Sequence, residues 1–245
     1  MSFAPSITLN DTTEPFELQV ARGQVQRHRV VNFFGFNENV GTSFTTLWSQ
    51  DSDYIVPPSA STMTLVSNSA SDTAVSVLIE GLDADYNEIQ EVLVTNGTTD
   101  VTTANSYLRI NRMLQVIGFA VGDITLSVGA SVYGRIAAGV GASQMSQYTV
   151  PNNSTFYLYR ISGWSATAIG SSKYISFRNH VETNGGNATN YNFADATFIN
   201  TFEIIRQFPF KYNEKSTIKL QAKSSSTTNH VAFAAEGILI SNTGF

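Results

Sequence analysis

Apolar and polar positions alternate along most of the chain. In STIKLQAKS (216–224) Ile218, Leu220 and Ala222 share one face, and Lys219, Gln221 and Lys223 share the other. That period of two is the mark of a strand with one buried side. KYISFRNHVE (173–182) sets Ile175, Phe177 and Val181 opposite Arg178 and His180. STFYLYRIS (154–162) is rich in aromatic and branched residues and reads as a strand. So do FELQV (16–20), HRVVNFFGF (28–36), MTLVS (63–67), AVSVLIE (74–80), EIQEVLV (88–94), SYLRINRMLQVIG (106–118), DITLSV (123–128), FEIIRQFPF (202–210) and HVAFAAEGILIS (230–241). No long segment carries an apolar period of 3.6, and short helical turns are expected only near FADATFIN (193–200). The pattern predicts an all-β protein.

AVSVLIE and EIQEVLV flank the polar loop GLDADYN (81–87), and VTNGTTDV (94–101) follows. Asp and Asn side chains bond their own backbone in turns, and Asn96-Gly97 is a strong short-turn signal. The region therefore reads as a meander of strand, turn, strand, turn, strand. The same loop has a metal reading. Asp83, Asp85 and Asn87 alternate as the first ligands of an EF-hand loop do. Glu88 stands where that loop needs glycine, Val94 stands where it needs its bidentate Glu, and strands replace the flanking helices. The turn is the stronger reading, with a calcium site at Asp83, Asp85 and Asn87 as its competitor.

RIAAGVGASQMSQ (135–147) is small and glycine-rich and is the best boundary in the chain. It divides residues 1–143, a meander or sandwich domain with an irregular lead-in, from residues 144–245, a β-sandwich of jelly-roll type. YIVPPSASTMTLV (54–66) and YTVPNNSTFYLYRI (148–161) share Tyr-x-Val-Pro, a turn and a strand, either as a duplicated half-unit or as a common way to begin a β layer. Within the lead-in (1–50), VVNFFGFN (30–37) is apolar enough for either a docking segment or a core strand.

Composition narrows the function classes. Charged residues make up 13% of the 245 positions, net charge is −5 and cysteine is absent. The charge balance argues against a nucleic-acid partner, which requires a basic stripe. The one basic cluster, RGQVQRHR (22–29), reads as a solvent face or as a patch for an acidic neighbour. Disulfides and thiolate metal sites are excluded. The N-terminus reads as lacking a secretory leader, and no segment has the apolar length of a membrane span. Asn-x-Ser/Thr matches at Asn10, Asn96, Asn152, Asn153 and Asn187 follow from the Ser- and Thr-rich composition.

The sequence offers little catalytic chemistry. No nucleophile elbow, dinucleotide fingerprint, P-loop or zinc-protease motif occurs. His28, His180 and His230 are the available imidazoles, better read as separate strand residues than as a metal triad. His180 and Glu182 share a strand face, without a nucleophile beside them. Glu88 and Glu91 read as solvent-facing. Neither an enzyme nor a cofactor is expected. Tyr157, Tyr159 and Trp164 form the densest aromatic cluster and are the candidate platform for stacking a glycan.

The segment VSNSASDTAVSVLIEGLDADYNEIQEVLVTNGTTDVTTANSYLRINRM (66–113) resembles one found in virion proteins of tailed bacteriophages, in its Asp-Thr lead-in, GLDADYNE, NGTT and RINR. YTVPNNST is similar to a strand opening in small phage β domains. The resemblance implies a non-enzymatic particle component: a capsid decoration, head fibre, neck or tail accessory protein. It implies partners among other virion proteins, a homo-oligomer (by family expectation a trimer), and residence in the virion after assembly in the bacterial cytoplasm. A carbohydrate-binding module is the alternative.

Overall fold

The computed structural model describes residues 8–9, 12–50, 52–166, 173–183, 190–226 and 229–242, with side chains outside 8–13 and 193–194. The two-residue strands β1 (Thr8–Leu9) and β2 (Thr12–Thr13) pair with each other. The helix α1 (Phe16–Ala21) follows Pro15. Next come β3 (His28–Val40), β4 (Thr45–Thr46), β5 (Thr64–Ser67), β6 (Ser76–Leu82), β7 (Glu88–Val94), β8 (Val101–Thr102), β9 (Arg109–Ile117), β10 (Ile124–Val128) and β11 (Ser131–Ile136). The rest of the chain forms β12 (Gln147–Thr149), β13 (Ser154–Ser165), β14 (Ile175–Glu182), β15 (Tyr191–Phe198), β16 (Thr201–Tyr212), β17 (Thr217–Ser224) and β18 (Asn229–Ser241).

Two antiparallel sheets form the larger unit. One runs β16-β13-β18-β3; the other runs β12-β17-β14-β15, with β4 also paired to β17. Their inner faces share one core, in which Phe33 and Leu239 from the first sheet meet Phe177, Val181 and Leu220 from the second. Aromatic rings fill its centre: Phe177 lies 5.0 Å from both Phe202 and Phe233. Burial alternates along β14 as the pattern demands, and buried Asn179 donates to the Tyr212 hydroxyl at 2.6 Å. Burying a phenylalanine in such a core contributes about 1.5–3 kcal/mol.

β4 and β12 are two pieces of a single strand position. Along one edge of β17, Thr45 and Thr46 lie opposite Ala222 and Gln221, while Gln147, Tyr148 and Thr149 lie opposite Lys219, Ile218 and Thr217. At the break the Leu47 amide donates to Leu220 O (3.3 Å), and the Leu220 amide donates to Ser146 O (2.8 Å). The chain turns away at Trp48 and returns at Met145, and these two residues bridge antiparallel. Everything between them is an excursion from the middle of a strand.

That excursion forms a second unit with its own core. A sheet of order β11-β10-β5-β8 and a three-stranded sheet of order β7-β6-β9 enclose Met63, Leu65, Ile79, Ile110, Met113 and Ile124, with Trp48 and Tyr54 at the base. The two rings at the base meet edge to face at 5.1 Å.

Several expectations change here. A single cut near residue 143 does not follow the cores, because Val31, Phe33, Val40 and Leu47 belong to the core of the C-terminal strands. VVNFFGFN is a sandwich strand, paired along its length with β18. FELQV is helical: Gln19 Nε2 donates to Glu14 O at 2.7 Å and Arg22 pairs with Glu14, closing a short turn rather than a ladder. The backbone of 193–198 is strand, not helical turn. The β6-β7 hairpin forms, yet the strand after Asn96-Gly97 joins the other sheet beside β5, and β9 takes the second side of β6. Tyr54 and Tyr148 are both buried, one in the core of each unit.

Candidate functional site

The 83–88 loop is built around one carboxylate. Asp83 Oδ1 accepts the amides of Asp85 and Asn87, both at 2.9 Å, and Oδ2 accepts the Asn87 side-chain amide at 3.2 Å. The Asp83 amide donates to Asn87 O at 3.0 Å, and Tyr86 takes a positive φ of 66°. Asp83 thus serves the backbone of its own turn, and Asn87 presents nitrogen, not oxygen, to it. Among the described residues no group of three or more His, Asp or Glu side chains is placed to hold a metal.

The tip of this turn reaches the larger unit. The Asn152 amide donates to Tyr86 O at 2.8 Å, and Lys215 Nζ sits 5.7 Å from the Tyr86 ring centroid. From the turn's own unit the Arg109 guanidinium lies 5.5 Å from that ring and donates to its hydroxyl at 3.3 Å. The stretch that raised the calcium question is a contact between the two units.

Tyr157, Tyr159 and Trp164 do reach one face, the outer side of the β16-β13-β18-β3 sheet. A bulge between Leu158 and Arg160 turns Tyr159 outward with Arg160. The two ends of the cluster stand apart: seven positions along β13 separate Tyr157 from Trp164 by about 20 Å. Between them Arg160 pairs with Glu203 at 2.7 Å and Glu236 at 3.3 Å. Burial, then Glu236 and Glu17, push the Tyr159 phenol up. Trp164, 43% exposed, instead groups with Phe34, at 5.5 Å between ring centroids. Phe34 was hidden from sequence reading because cross-strand neighbours are distant in sequence.

The three histidines do not converge. His28 sits against the Phe16 ring edge, its Nδ1 2.8 Å from Gln26 O. His230 packs on Phe36 near the opposite end of β3. His180 is in the other sheet, with Nδ1 2.9 Å from Asn192 Oδ1 and Nε2 3.8 Å from Glu182. Glu182 itself accepts from Lys219 Nζ at 2.6 Å. Lys219 and Gln221 are buried rather than solvent-facing, since β17 is a central strand whose side chains are flanked by Glu182 and Arg178 on one neighbour and Thr46 on the other. Glu91 is not free in solvent either; its carboxylate accepts the amides of Ala104 and Asn105.

A cleft of about 820 Å³ separates the units. One wall is the edge of β3 from Arg29 to Phe34, and the other is the outer face of β6, β7 and β9. Two ion pairs cross or flank it: Arg29 with Glu88, and Arg112 with Glu80 at 2.6 Å. Tyr148 closes the floor, and burial pushes its phenol above the usual tyrosine range.

Farther along the same outer face the surface turns apolar. Val92 and Val94 on β7, Val116 and Ile117 on β9, and Phe119 and Val121 in the loop that follows are all exposed. Buried Asp72 fixes that loop: its carboxylate accepts the Ser67 hydroxyl at 2.6 Å and the amides of Val121 and Gly122 at 2.9 and 3.0 Å. Its carbonyl accepts the Thr95 hydroxyl and the Gly97 amide. Burial alone would raise the Asp72 carboxyl, but the Ser67, Val121 and Gly122 hydrogen bonds outweigh it and hold the group below the usual carboxylate range.

No helix among the described residues is long and apolar enough to cross a membrane. No protein-family model matches the chain, and no curated protein matches it. Similar solved structures include one of infectious bursal disease virus, Gx strain, at 11% identity over 95% of this chain and 78% of the other, with a TM-score of 0.28. The infectious bursal disease virus VP2 subviral particle is similar at 10% identity over 90% and 74%, with a TM-score of 0.24. Likenesses this weak bear on neither the fold nor the function.

Proposed function

We propose that this chain is a non-enzymatic structural component of a virus particle, of the decoration, head-fibre, neck or tail-accessory kind found in tailed bacteriophages. The observation that carries the reading is the strand order of the larger unit. A sheet β3-β18-β13-β16 facing a sheet β4/β12-β17-β14-β15 supports a jelly-roll reading, in which successive strands swap sheets in a fixed sequence. Capsid and lectin domains are among the main users of that architecture. Its interior is packed with aromatic side chains. The unit inserted at Trp48–Met145 is then a projecting module on a jelly-roll base. The 66–113 segment that resembles phage virion proteins lies inside this module.

The stretch before β3 is the part of the lead-in left to dock on other particle proteins, and copies of the chain assemble with one another. Particles purified from the phage that encodes the chain provide the test. An antibody against the recombinant chain should label banded particles, and the chain should co-migrate with them. Absence of the chain from intact particles contradicts the reading. Deleting residues 1–25 should then abolish attachment without unfolding the sandwich.

A second reading has its own observation: exposed Trp164 and half-buried Phe34 form an aromatic pair on the outer face of a sandwich sheet. A glycan-binding module would use such a pair for stacking. It requires glycan-array binding that Trp164→Ala removes, and folded protein that binds no glycan rules it out.

A further inference from the structure

The outer face of the β7-β6-β9 sheet has two halves. Near the larger unit it carries Gln90, Glu80 and Arg112 in one cross-strand row. Away from it the rows are Val92-Leu78-Leu114 and Val94-Ser76-Ile117, with no charged side chain among them. Phe119 and Val121 extend this apolar end beyond the sheet. Six side chains there, Val92, Val94, Val116, Ile117, Phe119 and Val121, are between 45% and 84% exposed. Together they present on the order of 600 Å² of apolar surface, at the upper end of the largest patch a monomer usually shows. A face that merely tolerated scattered valines would not place its most exposed phenylalanine on a loop clamped by a buried carboxylate. Asp72 holds the Val121 and Gly122 amides, so the loop keeps its shape when its apolar side chains lie in water.

We propose that this face is a self-association surface, seating the same face of a second copy of the chain. The proposal rests on the homo-oligomer reading above and locates the contact. Two observations select a second copy as the occupant. The first is area: the exposed side chains, with Leu78 and Leu114 between them, approach the roughly 800 Å² per partner of a standard stable interface. The second is charge. The belt beside the apolar half holds Arg29 and Arg112 against Glu80 and Glu88, two of each sign. Paired within each chain and neutral overall, such a rim does not repel the same face of a second copy across a two-fold axis. It offers no excess of positive charge to a nucleic acid or to an anionic membrane.

Sedimentation velocity over a concentration series of the full chain tests this. The native chain should self-associate. The pairs Phe119→Ser with Ile117→Thr, and Val92→Thr with Val94→Thr, should each weaken association about 100-fold, the scale of removing one or two well-buried apolar side chains. The far-UV circular dichroism of both should be unchanged, because these side chains lie outside the core. Ile205→Thr, equally exposed on β16, should leave association intact. If the native chain associates and both double variants associate as well as it does, the contact lies elsewhere; the proposal falls and the homo-oligomer reading survives. A native chain that stays monomeric to its solubility limit overturns both. A monomer that pellets with phosphatidylcholine vesicles through Phe119 assigns the patch to lipid and likewise overturns the proposal.

Discussion

Leu47 and Ser146 stand 99 positions apart, yet the Ser146 amide donates to Leu47 O at 2.8 Å, and the Ser146 hydroxyl lies 2.9 Å from the same oxygen. That hydroxyl is also 2.7 Å from Leu220 O. The carbonyls where the strand is interrupted are therefore satisfied by the returning chain, and a whole folded unit leaves the sandwich without exposing a broken ladder. The 83–88 turn braces the unit from a second side through Tyr86 and Asn152.

Gly35 lies under this crossing. A Cβ there would sit inside van der Waals contact of Leu47 O and of Ser146 backbone and side chain. Gly35→Ala should therefore force the two crossing segments off β3 and cost about 2–3 kcal/mol, within the range of core overpacking. Urea unfolding should show the lowered midpoint. Gly23→Ala, where a Cβ meets nothing but φ is +70°, should cost about 1 kcal/mol.

Asp72 should give the inserted unit an acid limit. Its folded pKa lies below the unfolded value near 4, so its contribution is complete above pH 4 and is lost as pH falls through the folded value. Asp123, also lowered, adds to the same limb: burial opposes ionisation, but Arg135 and the Ala138 amide favour it. Asp72→Ala should cost about 3 kcal/mol by stranding the Ser67 hydroxyl and two amides, and should flatten the slope of stability against pH below 4. Thermal melts from pH 2.5 to 7 (about one pH unit apart) measure both effects.

Asp83→Ala should remove the two backbone caps of the 83–88 turn and cost about 1 kcal/mol, with loosened packing of Tyr86 against Asn152. Calcium should leave the native melting temperature where it is. A rise on adding calcium, reversed by a chelator and absent in Asp83→Ala, would reinstate the metal reading.

Lys219 and Glu182 form a pair with little solvent access, 9% and 17% of the side chains exposed. Glu182→Gln leaves the lysine charge enclosed by β12, β14 and β17. The cost should be about 3 kcal/mol, and Lys219→Met with Glu182→Gln together should recover much of it. A double-mutant cycle by chemical denaturation provides the check.

Local pattern revealed what local physics decides. The alternation of β14 and β17 set their core faces, and the polar run after Gly81 set a hairpin between β6 and β7. FELQV misled because Phe16, Leu18 and Val20 alternate, while the forces that close the turn are Glu14 with Gln19 and Arg22, outside that pattern. Lys219 looked solvent-facing because nothing within 216–224 says that the strand is central. The largest omission, β3 and β4 as strands of the C-terminal sandwich, is a pairing of β3 with β18 about two hundred residues away, which no window of local sequence contains. The aromatic trio shares the outer face of its sheet, but a bulge and the Arg160 ion pairs separate its members. Asp72 stood out only as part of the Asp-Thr lead-in: a lone Asp in a Ser-rich stretch becomes a clamp only when the 119–122 loop folds over it.

A single two-sheet sandwich is interrupted in mid-strand by a unit with its own core. The direct measurement replaces residues 48–145 with two glycines, joining Leu47 to Ser146, and follows unfolding by circular dichroism and amide hydrogen exchange. The shortened chain should melt in one cooperative transition, with protected amides on β13, β17 and β18. An unfolded or molten product would contradict the account and make the two units one inseparable core.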